Sequence, residues 1–450
     1  MKIKIITLKY YIWIGIIFFL IFSFPIQVIL SSPLPSLFPY LGILLLFFIT
    51  KFFNHIPSKI IYKNKNIEHF IKVYIFLVIF HSSWQCLFKF ISIGNGITAI
   101  VIYILPVIFY WYGIKYTTEK EFKIILFSIV IFGLCSGLYF VYDSYSMLVN
   151  AQVSEFSHKI MEYTKSRAPD RTEFNVSRIS EGIRSHGMLE KHSISAAWTA
   201  LSCFAILAII PLKHLKTRLL IVSIYFFMLL ISLNFTSIVA FIFVIAFIEL
   251  KVFYIFKGLI SKNSFKFFGY SLLILFSALI YISIYSKDLY ELLIFRIPDQ
   301  LSLALGLRSL NDDSTFIGTF LSGYFKYPLN MLSFPPGILI GDGFSNWGVT
   351  NKGGDFGHID LVHRLGFPLY FAIIYGLFRL TKQSLNKIRL ANWELDKGAR
   401  YLQFSVSAIL YILVTTIHYN TWDTKSTLPL FFICIVFISR YLYSLHEQLD

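Results

Sequence analysis

Tyr11–Leu30 reads YIWIGIIFFLIFSFPIQVIL and carries no charged side chain. At about 1.5 Å of rise per residue, a helix of this length covers about 30 Å, the thickness of a bilayer's hydrocarbon core. Lys2, Lys4 and Lys9 precede it, as basic residues precede a signal peptide. The run is longer than a signal core, however, and the SSPLPS that follows offers no small-x-small cleavage site. It is therefore expected to remain as a first membrane span. The rest of the chain repeats the pattern. Of 450 residues only 14% are charged, 56% are hydrophobic and 48 are Phe, too little polar surface to cover soluble cores. The fold class expected is an all-α polytopic membrane protein.

Hydropathy places about 12 spans, near 11–30, 37–53, 70–92, 96–112, 122–142, 194–211, 217–233, 235–250, 267–285, 361–378, 402–419 and 427–444. Their connections alternate in charge. Basic segments lie at 51–65, 115–123, 213–218, 251–266 and 379–400, whereas 31–36, 93–95 and 419–426 hold a single basic residue, Lys425. The positive-inside rule then puts both termini in the cytoplasm. The net charge of +16 is read as an orientation and lipid-headgroup signal, with no nucleic-acid partner. Residues 1–142 carry five spans, 143–193 form a first long outer loop and 194–285 carry four more spans. A second outer loop covers 286–358, and 359–450 hold the last three spans. No repeat, low-complexity tract or P-loop or Rossmann glycine pattern interrupts them, which argues against an ATP-driven pump. Cys86, Cys135, Cys203 and Cys434 sit far apart in apolar runs, as small core residues do.

Chemistry is expected in the two outer loops, because sites gather on loops held by a rigid scaffold. In the first, a weakly amphipathic stretch from Ser144 to Lys165 with Leu148, Phe156 and Ile160 at helical spacing suits a membrane interface. Arg167, Arg171, Arg178 and Arg184 follow. Arginine grips phosphate with a fixed fork of donors and stays charged. Asp170, Glu173, Glu181 and Glu190 are equally available to pair with these arginines in an ordinary solvated loop. Arg184 stands apart, beside His186 and Gly187 at the membrane edge.

In the second loop, Asp313 or Ser314 is a natural N-cap for a re-entrant or interfacial helix whose apolar face is Phe316, Phe320, Leu321 and Tyr324. Arg308 precedes the acidic pair Asp312–Asp313. A helix N-terminus favours acids for its dipole alone, and no further ligands stand at metal-like spacing, so no metal is expected. Pro335-Pro336-Gly337 and Gly341-Asp342-Gly343 then fix a compact turn, with Ile338 to Ile340 expected to plug into the bundle. The chain returns to His358 at the mouth of a span. Asp360 and Arg364 stand four apart with the acid first, the favourable order for a helical ion pair, and Arg364 is also long enough to reach a headgroup. His358, with an ordinary pKa near neutrality, suits a general base for a sugar hydroxyl.

The order of these segments resembles the O-antigen polymerase and O-antigen ligase superfamily of bacterial envelopes. The residues that carry the resemblance are RSHG at 184–187, NFTS at 234–237, NDDST at 311–315, LIGDGF at 339–344, and His358 opening a span that contains LGFPLY at 365–370. The resemblance implies glycosyl transfer at the periplasmic face of the inner membrane with no cofactor and no metal. The donor would be an oligosaccharide on undecaprenyl diphosphate, and the partners membrane lipids and a chain-length regulator protein. On this view Arg184 and Arg308 hold the diphosphate with His186 beside them. Asp360 and Arg364 contribute to substrate binding, and His358 activates the acceptor hydroxyl. The sequence departs from the family pattern where Ile359, not Asn, follows the histidine. It departs again where Phe316 and Gly318 occupy the region of a usual arginine, for which Arg308 is the upstream substitute. Three functions compete. A polymerase joins lipid-linked repeat units; a ligase transfers the same glycan to lipid A–core; a transporter of polar lipids would need ionisable residues deep in several spans. Within the expected spans such residues are few, His81, Lys89, His363 and Arg364 among them, which favours the transferase readings.

Overall fold

The computed structural model describes residues 2–53, 65–88, 92–150, 154–167, 185, 187–189, 191–211, 214–232, 234–249, 338–339, 341, 357–390, 397–417, 421–422, 424 and 426–443. Within them the chain is mostly helical with no strand. The helices are α1 (Lys2–Leu30), α2 (Phe38–Phe52), α3 (Lys65–Leu87), α4 (Ile93–Ile104), α5 (Val107–Tyr116), α6 (Glu119–Asn150) and α7 (Glu155–Arg167). They continue as α8 (His192–Ile209), α9 (Leu215–Ile231), α10 (Phe235–Val244), α11 (Gly357–Leu365), α12 (Phe367–Leu390), α13 (Lys397–Thr415) and α14 (Thr427–Tyr443). Among the described residues seven helical stretches are long and apolar enough to cross a bilayer, and two shorter apolar helices accompany them. The chain is a multi-span membrane protein.

Helix breaks revise several expected boundaries. The span at 96–112 is two helices, α4 and α5, divided at Leu105-Pro106, where proline has no amide hydrogen to donate. The loop expected from residue 143 begins later, because α6 continues to Asn150. The amphipathic stretch is consequently split between the end of α6 and α7. NFTS is a true break: the Asn234 side chain accepts from the Ser237 amide at 3.1 Å and caps α10. The span expected at 361–378 is broken as well, by Gly366 between α11 and α12. The span expected at 267–285 and the NDDST helix lie outside the described residues.

Two compact units divide the chain. One comprises Met1–Leu20, Leu37–Ile125 and Phe320–Asp450, the other Ile21–Ser36 and Leu126–Thr319. In the first, α14 runs antiparallel to α13 and is buried nearly all round, as a helix apolar on every face should be. Gly113 of α5 lets Val436 of α14 approach so closely that a Cβ there would lie 2.7 Å from its methyl. Phe122, Tyr401 and Phe437 close the core at one end. That end is the basic one. Arg440, at the end of α14, donates to the Thr117 carbonyl and, at 3.2 Å, to that of Ile114, satisfying the C-terminus of α5. Beside it Thr118 and Glu121 exchange bonds as a capping box for α6. The opposite end, where α13 passes to α14, is polar. Thr415 and Thr421 hydroxyls meet at 2.7 Å, as do those of Thr424 and Thr427.

In the second unit, Gly133 and Gly137 of α6 form a small-xxx-small seam against α8. A Cβ at Gly133 would lie 2.9 Å from the Trp198 carbonyl, and one at Gly137 would lie 2.8 Å from the Thr199 hydroxyl. Arg218 of α9 donates to the Leu207 carbonyl and, at 2.7 Å, to that of Ile210, closing the C-terminus of α8.

The tightest backbone approach is in the first unit. Gly341 and Gly366 both adopt positive φ, 70° and 74°, the region that L side chains rarely enter. A Cβ on Gly341 would strike the Arg364 carbonyl and lie 2.6 Å from the Gly366 nitrogen; one on Gly366 would strike the Leu339 carbonyl. Leu339 and Gly341 are thus pressed backbone-to-backbone onto the α11–α12 break. Of the three residues expected to plug the bundle, Ile338 is half-buried, Leu339 is 65% exposed and Ile340 lies outside the described residues. Gly341→Ala and Gly366→Ala are each expected to cost about 2–3 kcal/mol or more. Gly376→Ala, with nothing near its would-be Cβ in α12, is expected to gain about 0.5–1 kcal/mol. Thermal unfolding of the detergent-solubilised variants decides this: equal shifts for all three would refute the contact.

Candidate functional site

α11 begins at Gly357, and the His358 amide donates to the Thr416 carbonyl at 3.0 Å. That bond ties the start of α11 to the end of α13, at the polar end of the first unit. The imidazole is half-buried there. Its Nε2 lies 2.8 Å from the Leu413 carbonyl, and its Nδ1 lies 3.1 Å from the Tyr370 hydroxyl. The two rings meet edge-on, 5.9 Å apart at 71°. In an unbroken helix, residues twelve apart would be separated by about 18 Å along the axis. The Gly366 break folds α12 back and brings this pair into contact.

A carbonyl accepts and cannot donate, so Nε2 carries the ring proton and Nδ1 presents its lone pair to the phenol. Burial pushes the imidazole below its ordinary pKa, and the Leu413 carbonyl, which favours the cation, opposes that shift. His358 therefore rests neutral at physiological pH, the form a general base requires.

About one and two-thirds turns further along α11, about 9 Å of rise, Arg364 forms the expected pair with Asp360. Its other guanidinium nitrogen donates to the Tyr103 hydroxyl at 2.6 Å. Tyr103 is itself buried at the end of α4, with its carbonyl accepting from the Tyr74 hydroxyl at 3.1 Å. The charge is thus committed inward, tying α11 to the α4–α5 break. His363 is buried beside it.

Of the other residues expected in the site, Arg184, His186 and Arg308 lie outside the described residues. Their setting is partly described, in the second unit. Ser185, between Arg184 and His186 in sequence, donates to Asp143 at 2.5 Å, and its hydroxyl accepts from the Gly187 amide at 2.8 Å. Ser157 donates to the same carboxylate oxygen at 2.5 Å. Gly187 has φ of 62°, and a Cβ there would lie 2.8 Å from the Ser195 hydroxyl. Ser185 is therefore fastened to α6 by a fully buried carboxylate. Asp143 and Tyr370 are the residues that sequence reading did not single out. Asp143 stood at an assumed loop start, and nothing local in LGFPLY aims a tyrosine at a histidine twelve residues back.

No protein-family model matches the chain, and no curated protein matches it either. The site rests on its own residues.

The Asp360–Arg364 pair yields a stability prediction. Asp360→Ala strands a buried guanidinium and is expected to cost about 3–5 kcal/mol. The double variant Asp360→Ala/Arg364→Met, which removes both charges, is expected to recover most of that loss. Unfolding in detergent measures both; a single variant no less stable than the double would show that the pair does not hold α11 in place.

Proposed function

We propose that this chain is an O-antigen polymerase of the bacterial inner membrane. It would transfer an oligosaccharide from undecaprenyl diphosphate to a second lipid-linked repeat unit at the periplasmic face, as a metal-independent glycosyltransferase. The observation that carries the reading is the His358 imidazole, half-buried at the polar end of the first unit with Nε2 on the Leu413 carbonyl and Nδ1 on the Tyr370 hydroxyl. In the proposed topology of about 12 spans with both termini cytoplasmic, that end is periplasmic. The two long loops, one following α6 and one preceding α11, are then periplasmic as well.

The chemistry follows from the residues. A sugar hydroxyl becomes a nucleophile when a base takes its proton as the new bond forms. His358 supplies that base. The diphosphate leaves with growing negative charge, which pre-placed cations stabilise. Arg184 and Arg308 are assigned that role, with His186 beside the first. Asp143 holds Ser185, the residue after Arg184, to a helix, which suits a loop arginine that is to be pre-placed rather than recruited. Asp360 and Arg364 are proposed to shape the substrate site, Arg364 by keeping α11 seated on Tyr103. A lipid-linked donor would approach through the bilayer. The exposed apolar row of Phe371, Tyr375 and Phe378 on α12, next to Tyr370, suits a lipid-facing side.

Lipopolysaccharide banding tests the proposal in a strain lacking the gene, complemented with wild type, His358→Ala, Arg184→Ala or Arg308→Ala. The polymerase reading expects core plus one repeat unit in the deletion and a full ladder restored by wild type alone. Bare core with accumulating long lipid-linked chains would instead identify a ligase. A normal ladder in the three variants would remove the site assignment, and an unchanged ladder in the deletion would remove both transferase readings.

A further inference from the structure

His358 presents a difficulty for any simple base mechanism. Nε2–H is spent on the Leu413 carbonyl, and the only remaining lone pair, on Nδ1, is capped by the Tyr370 hydroxyl. No substrate oxygen reaches that lone pair while the phenol is in place. The phenol is firmly placed. Its residue sits in the first turn of α12, with its amide donating to the Gly366 carbonyl at 3.1 Å. Gly366 in turn is fixed by backbone contact with Leu339 and Gly341. The ring is flanked by Phe371, 5.4 Å away at 70°, and is itself half-buried.

We propose that Tyr370 is the proton relay of His358: the acceptor hydroxyl bonds to the Tyr370 oxygen, and its proton reaches Nδ1 through the phenol. This rests on the transferase reading above. The acceptor oxygen forms its bond to the anomeric carbon, and the bond from that carbon to the diphosphate breaks, its electron pair leaving on the diphosphate. The acceptor's proton passes to the Tyr370 oxygen as the phenolic proton passes to Nδ1. Tyr370 ends neutral. His358 ends as the cation, with Nε2–H still on the Leu413 carbonyl and Nδ1–H donating to Tyr370. The Leu413 carbonyl stabilises that cation, and so contributes to the step rather than to the resting state alone.

The arrangement also explains why a glycine pair stands where it does. A relay needs two hydrogen bonds held in line at near-contact distance. The residues that supply it come from two helices joined by one residue, and Gly341 against Gly366 fixes the angle between those helices.

Tyr370→Phe keeps the ring and removes the hydroxyl. In the full-length protein, labelled with ¹⁵N-histidine in detergent and assigned through His358→Gln, the wild type is expected to show one tautomer, with Nε2 protonated and Nδ1 shifted by an accepted hydrogen bond. Tyr370→Phe is expected to lose that Nδ1 shift while the remaining histidine signals stay unchanged. With a purified lipid-linked repeat unit as substrate, kcat is expected to fall about 100-fold or more, with KM nearly unchanged. An unaltered His358 signal in Tyr370→Phe would overturn the hydrogen bond. A normal kcat in that variant, with the signal altered, would overturn the relay while leaving the transferase reading intact. Wild type inactive on that substrate, with the signal as expected, would overturn the transferase reading and the relay with it, leaving the resting geometry.

Discussion

Hydrocarbon cannot hydrogen-bond, so every backbone amide and carbonyl freed by a helix break must find its partner inside the protein. That constraint organises this chain. Where α8 ends, Arg218 takes two of the orphan carbonyls; where α5 ends, Arg440 does the same. Asn234 receives a free amide at the start of α10. Thr416, at the end of α13, offers its carbonyl to the His358 amide and so recruits a second helix terminus. Arginines that look in the sequence like a simple inward-facing charge excess are, at these two positions, side chains that terminate helices. The +16 charge therefore has a structural component that the orientation rule does not describe.

Close approach is the second requirement. Helices in a bilayer gain little from burying apolar surface against one another, because lipid is as apolar as leucine. What they gain comes from contact, and contact needs small residues. The Gly133–Gly137 seam on α8 meets that need for a helix pair. Gly341 and Gly366 meet it for two breaks in the backbone, at positive φ, where no side chain would be accommodated. The two uses differ in consequence. A seam between helices tolerates some sliding, whereas a pair of turns locked carbonyl to Cα fixes an angle, and an angle is what a hydrogen-bonded site depends on.

Much of the fold was legible because an apolar run of span length is an unambiguous signal, and Tyr11–Leu30 or the run leading into α14 reads correctly without knowledge of its neighbours. The breaks were less so. LGFPLY looks like the opening of one span, although Gly366 followed by Pro368 carries the usual mark of a helix stop and a helix start. Hydropathy averages over such a break because its flanks are equally apolar. Asp143 misleads for the opposite reason: a lone acid at the end of an apolar run looks like the run's boundary, and only the serines of two other segments make it a buried one. Within the candidate site, His358 and the Asp360–Arg364 pair were visible from type and spacing. Tyr370 was not, since its role depends on a chain reversal rather than on any local pattern.

The helix break and the base belong together. A histidine in the middle of an unbroken transmembrane helix has its neighbours dictated by helical spacing, and those that follow here, Leu361 and Val362, are apolar. Placing it at the start of a short helix frees its backbone amide for the end of α13 and turns its ring toward a carbonyl of that same helix terminus. Leu413 lies in the last turn of α13, where the macrodipole is negative and favours a cation. The same break delivers a phenol to the opposite ring nitrogen. Burial therefore holds the imidazole neutral at rest, while a helix C-terminus is already positioned to accept the charge it acquires on taking a proton. A single glycine at residue 366, pinned by another at residue 341, thus sets both the resting state of the base and the environment of its charged form.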